Sequence, residues 1–142
     1  MSKKLKGFSP ARKFAWDKGA EEQGVWRTVF DGAAELKIAR FNNPKHNALL
    51  RRLRDENEEL LKDETTEKAQ SKLLEISGLA MAETVLTDWR GILDEDGNEL
   101  PYSNEAAYDL LKNYEEFADL VFNLSLETEQ YRRFKEGEAV KN

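Results

Sequence analysis

The chain has 142 residues, the length of one domain, with 39% hydrophobic and 35% charged residues and a formal net charge of -6. It has no cysteine, which excludes disulfides, thiolate metal sites and a cysteine nucleophile. No apolar run approaches the roughly 20 residues of a membrane-spanning helix, and the basic start lacks the apolar stretch of a secretory signal, so a soluble, intracellular chain with no membrane partner is expected.

The charge is unevenly spread. Residues 1–18 carry Lys3, Lys4, Lys6, Arg12, Lys13 and Lys18 against Asp17, while the rest of the chain holds 16 basic and 27 acidic groups. Residues 1–23 lack regular periodicity, and Phe8, Phe14 and Trp16 interrupt the basic positions. This segment reads as a basic arm, either flexible or docked on the body or on a neighbouring copy. The acidic body would repel a duplex and no recognition motif accompanies the arm, so nucleic acid is not the expected partner.

The string GVWRTVF at 24–30 is rich in β-branched and aromatic residues, Asp31-Gly32 is a turn signal, and residues 35–39 alternate polar and apolar. This predicts a β-hairpin, whose edge could add a strand from another chain. Asn43-Pro44 then suits a helix start. Leu49, Leu50, Leu53, Leu60 and Leu61 form an apolar stripe up to about residue 63, with Asn57 at one heptad position. Thr65-Thr66 can cap a second long helix reaching about Trp89, the most apolar element and the expected core helix. Gly78 near its middle could allow another helix to pack closely.

Residues 89–102 read as an ordered loop with Asp96-Gly97 as a hairpin turn between Ile92-Leu93 and Leu100. Ser103 caps a short helix over 104–113. A last helix begins near Glu115, with Phe117, Leu120, Val121, Leu124 and Phe122 on its apolar, expected buried side. Residues 127–142 are helix-compatible and highly charged. The expected architecture is mainly α: about four helices with a short N-terminal hairpin, divided into a basic arm at 1–23, a helical domain at 24–126 and a charged C-terminal helical extension at 127–142.

Chemistry is hard to place on these residues. His46 beside Lys45 has no nucleophile system around it and reads as a surface or helix-start residue. There is neither a Walker pattern nor a G-x-G-x-x-G loop. Asp94, Asp96, Asn98 and Glu105 match positions 1, 3, 5 and 12 of a calcium loop, but Glu99 stands where the loop needs glycine and Pro101 falls inside it. No catalytic residue, cofactor or metal is expected.

The string AETVLTDWRGILDEDGNELPYSNEAA at 82–107 resembles the tail assembly chaperones of long-tailed bacteriophages and prophages, in which a helix ending in a Trp-containing segment is followed by an acidic D-E-D-G-x-x-L-P-Y-S loop and a short capped helix. The string LKIARFNNPK at 36–45 is similar to the same family's strand leading into an N-N-P helix start. The motif residues here are Trp89, Gly91, Asp94, Asp96, Gly97, Leu100 and Pro101. The resemblance implies a mostly helical, non-enzymatic assembly factor. Such proteins self-associate, bind the tape-measure protein and help recruit tail tube protein. It also implies action in the host bacterial cytoplasm and absence from the mature virion. Leu50, Leu53, Leu60, Phe117, Leu120, Val121 and Leu124 are the candidate client or self-association positions, with the domain's own core as the competing use of the same stripes. The rival readings are a small structural virion protein, such as a connector or completion factor, and a nucleic-acid-associated regulator using the basic arm.

Overall fold

A computed structural model describes residues 4–135. Residues 1–3 of the basic arm and residues 136–142 of the expected C-terminal extension lie outside the described residues.

Two short helices come first, α1 (Pro10–Phe14) and α2 (Lys18–Gln23). Ser9 caps the first by accepting from the Arg12 N–H at 3.2 Å, and Asp17 caps the second by accepting from Ala20 at 3.1 Å. The expected hairpin follows. Strand β1 (Val25–Val29) pairs antiparallel with β2 (Ala34–Ile38) around a tight turn over Phe30–Gly32. Gly24 enters β1 at φ +97, and a Cβ there would sit 2.9 Å from the Ile38 carbonyl carbon. Only glycine fits that approach.

Helix α3 (Pro44–Glu56) has Asn43 as its cap. Asn43 is fully buried. Its Oδ1 accepts from His46 N–H at 3.0 Å, while its amide donates to the carbonyls of Arg40 at 2.8 Å and Thr84 at 3.0 Å. The Asn-Pro pair therefore starts one helix and ties it to the end of the next. That next helix, α4 (Glu67–Thr84), is capped by Thr66. Strand β3 (Leu86–Arg90) then adds to β2, and the sheet order is β1-β2-β3. Helices α5 (Asn104–Asn113) and α6 (Glu115–Ser125) complete the fold.

The mainly α expectation is corrected here. Among the described residues there are six α-helices and a three-stranded antiparallel sheet, 53% helix and 14% strand, a mixed α/β fold. The extra strand comes from residues expected to end the long helix and begin a loop. Val85, Leu86, Thr87 and Trp89 are β-branched or bulky, and pairing places Leu86 opposite Ile38 and Trp89 opposite Leu36, all buried. Burying these two cross-strand pairs outweighs the gain from one more helical turn, since each large apolar side chain taken from water contributes about 1.5–3 kcal/mol. Helix α3 likewise stops at Glu56, where Asn57 turns its amide back onto the Leu53 carbonyl at 2.7 Å.

The core lies between the inner face of the sheet and helices α4, α5 and α6. Leu36, Ile38, Met81, Val85, Leu86, Trp89, Leu111, Val121 and Leu124 form it. The segments around residues 15–17 and 131–133 close over the Ile38 end of β2. Tyr131 is fully buried and its hydroxyl donates to the Ile38 carbonyl at 2.9 Å. The backbones of residues 15–17 and 131–133 bond reciprocally, Asp17 N–H to Tyr131 O and Arg133 N–H to Ala15 O, both at 2.8 Å. No described helix is long and apolar enough to cross a membrane.

Candidate interaction surface

The family-motif residues fold into one unit. Trp89 is buried and its indole N–H donates to the Leu100 carbonyl at 2.7 Å. The Tyr102 ring meets it edge-on, with centroids 4.9 Å apart. Gly91 turns at φ +78, where a Cβ would lie 2.7 Å from the Ala33 carbonyl oxygen, so the chain leaves β3 hard against the β1–β2 turn. Ile92 and Leu100 then close a small hairpin through the Leu100 N–H to Ile92 O bond at 2.8 Å. Asp94 holds its tip: one carboxylate oxygen accepts from the Asp96 and Asn98 N–H groups, both at 2.9 Å, and Gly97 takes the left-handed position. Pro101 is exposed at the exit. Thus Trp89, Gly91, Asp94, Gly97 and Leu100 set the shape of the hairpin. What it presents to solvent is acidic: Asp94, Glu95, Asp96 and Glu99 are all exposed.

Tyr102 and Tyr131 anchor the two sides of the core. The Tyr102 hydroxyl donates to the Leu86 carbonyl at 2.7 Å, and its pKa is pushed up to about 12 by burial and then by the nearby charges of Asp88 and Glu83. Burial also raises that of Tyr131. His46 is buried rather than on the surface. Its Nδ1 accepts from the Asn42 N–H at 3.3 Å, its ring packs on Phe41 at 4.8 Å, and desolvation lowers its pKa. It sits in the first turn of α3, and the cover comes from Phe41, which also meets Phe122 of α6 at 5.0 Å. That contact joins residues far apart in the chain, and no local pattern announces it.

The apolar candidates do not gather into one groove. Val121 and Leu124 lie in the core, with Phe117 and Leu120 half-buried against it. Leu50 and Leu53 are half-buried on α3, and Leu60 is exposed beyond its end. The structure instead opens a groove of ≈ 700 Å³ between α4 and α5, lined by Ser71, Leu74, Glu75, Gly78, Tyr108, Leu111 and Lys112. Leu74 stands 77% exposed on its wall. Gly78 leaves room for the Tyr108 ring: a Cβ there would meet Tyr108 Cε2 at 3.0 Å. Leu74 was legible only as part of the Leu73-Leu74 pair. Two adjacent leucines on a helix point about 100° apart, so both cannot face one core stripe.

Residues 41–142 match the family model described as YdaY prophage protein. No curated protein and no solved structure matches the chain.

Proposed function

The chain belongs to the YdaY prophage protein family, and from that premise we propose that it is a tail assembly chaperone, a non-enzymatic factor that holds the tape-measure protein soluble and helps bring tail tube subunits to it. The observation that carries this reading is the α4–α5 groove with Leu74 exposed on its wall. An exposed apolar side chain beside a concave, polar-rimmed surface suits the apolar face of a client helix, whose anchors at i, i+3, i+4 and i+7 would run along Leu74 and Tyr108. Glu75 and Lys112 at the rim supply both signs of charge for the client's flanking residues.

The sequence at 82–107 supports the same reading through its likeness to tail assembly chaperones. The hairpin built from those residues is tied to the core through Trp89 and Tyr102. The protein would act in the host cytoplasm while tails are assembled and be absent from the finished particle.

The test is co-expression with a tape-measure segment from the same prophage. The segment should stay soluble and co-purify with this protein, and purified particles should lack the chain. Failure to capture any tape-measure or tube segment, or abundance in purified particles, would replace this reading with that of a structural virion protein.

A further inference from the structure

We propose that the surface where residues 4–16 meet residues 132–135 binds single-stranded nucleic acid, with Phe8 and Phe14 stacking on bases and the cations of both segments on the phosphates. This surface shares no residue with the α4–α5 groove, and the proposal does not rest on client holding.

On its own the arm is a string of cations; the fold makes a site of it by bringing a second basic segment against it. Together the segments 4–16 and 132–135 hold seven lysines and arginines and no aspartate or glutamate. They are joined through their backbones. The Arg133 N–H donates to the Ala15 carbonyl at 2.8 Å, Trp16 forms an antiparallel bridge with Arg132, and the Arg132 guanidinium donates to the Phe14 carbonyl at 2.9 Å. A concavity of ≈ 330 Å³ opens between them, with Phe8, Arg12, Phe134 and Lys135 among its walls. Glu129 is the acidic residue of its lining. Arg40, which lies against Trp16, is paired with Glu21 at 2.8 Å, so its charge is already answered.

Rings and cations are interleaved on this surface. The Arg12 guanidinium lies 4.3 Å from the Phe134 ring centroid, and those of Arg132 and Arg40 lie 3.9 Å and 4.2 Å from that of Trp16. Phe134 and Trp16 therefore already carry cations. Phe8 and Phe14 meet edge to face with centroids 5.9 Å apart, yet they stay 68% and 52% exposed. Lys4, Lys6 and Arg12 are exposed on the same stretch. An unpaired nucleotide offers a flat ring and a negative charge together, which is what an open ring beside a cation accepts.

The alternatives fit less well. The net charge of -6 works against a duplex, and a duplex keeps its base faces hidden in the stack. An acidic peptide answers the cations and leaves the rings uncovered. An anionic bilayer takes up apolar residues from a projecting face, whereas Phe8 lines a concavity.

The experiment is fluorescence anisotropy of a labelled oligothymidylate of about 12 nucleotides, a length such sites cover, titrated with the full chain between about 50 mM and 200 mM salt. Wild type should bind it, lose affinity as salt rises, and bind a duplex of the same length at least about tenfold more weakly. Phe8→Ala should weaken binding about tenfold, the loss of one stacked base. Lys6→Gln on the arm and Arg133→Gln on the second segment should each weaken it several-fold and reduce the salt slope by about 0.7, one phosphate contact apiece. Lys68→Gln on α4 should change neither. All four positions are exposed, and circular dichroism checks that the variants are folded. No binding up to about 100 μM protein, equal affinity for the duplex, or an unaltered Phe8→Ala would overturn the proposal. So would an Arg133→Gln that matches wild type, since the arm alone would then account for binding. Displacement of the oligonucleotide by polyglutamate as readily as by unlabelled oligothymidylate would give the surface to an acidic peptide instead. Tighter association with vesicles of anionic phospholipid than with the oligonucleotide would give it to a membrane.

Discussion

The apolar side of α6 and the apolar strip of α4 that looks toward α5 are alike in composition, yet the fold uses them differently. On α6, Val121 and Leu124 are closed off by the sheet and by α5, and Phe122 is tied to Phe41. On α4, Ile76, Ala80 and Met81 face the core, but Leu74 is left 77% exposed beside a groove. One surface holds the domain together, and the other is left open to solvent. The difference teaches that an apolar stripe stays open to solvent where a neighbouring element stops short of covering it. Here Gly78 and the Tyr108 ring set that limit.

The comparison is broken most severely from the covered side. Leu124→Ala removes a core side chain, and it should cost about 3 kcal/mol by urea denaturation. Client capture per folded molecule should be unchanged. A melt equal to wild type would mean that α6 is not part of the core.

A smaller loss is expected where the covered side continues past α6. Tyr131→Phe leaves the buried Ile38 carbonyl without its donor and should cost about 2 kcal/mol. The same hydroxyl gives the fold an alkaline limit. Its folded pKa lies above the ordinary value of 10.0, so its contribution is complete below pH 10 and is lost as pH rises through the folded value. Thermal melts from pH 9 upward should therefore fall more steeply for wild type than for Tyr131→Phe.

His46 sharpens the contrast at the acid side. Burial lowers its pKa below 6.5, so the fold favours the neutral ring. Below pH 6.5 the unfolded chain binds a proton that the folded chain resists, and stability should decline as pH falls from that point toward the folded value. In His46→Gln that portion of the decline should be absent. Equal slopes in the two proteins would show that the imidazole is not what couples this region to pH.

Much of this organisation is local and was readable. Asp31-Gly32 set the hairpin, Thr66 and Ser103 placed two helix starts, and Asp96-Gly97 marked the turn of the acidic loop. Strand β3 was hidden because the apolar pattern of α4 runs into it without a proline or glycine. Its identity depends on pairing with Leu36 and Ile38, roughly 50 residues earlier. The signal that could have found it is the cluster Thr84-Val85-Leu86-Thr87 followed by Trp89, which favours a strand over a helix end. Burial of His46 and exposure of Leu74 were hidden for the same reason: each depends on which distant side chain arrives to cover it.

The smallest expected effect on stability belongs to the open surface and bears most directly on function. Leu74→Lys should leave the denaturation midpoint within about 0.5 kcal/mol of wild type, because the side chain is exposed before and after. The decisive measurement is the affinity of purified wild type and Leu74→Lys for a tape-measure segment from the same prophage, by calorimetric titration. The account predicts binding by wild type and a loss of at least about tenfold in the variant, since a client seated in the groove would have to desolvate the new charge. A folded Leu74→Lys that binds the segment as tightly as wild type would contradict it.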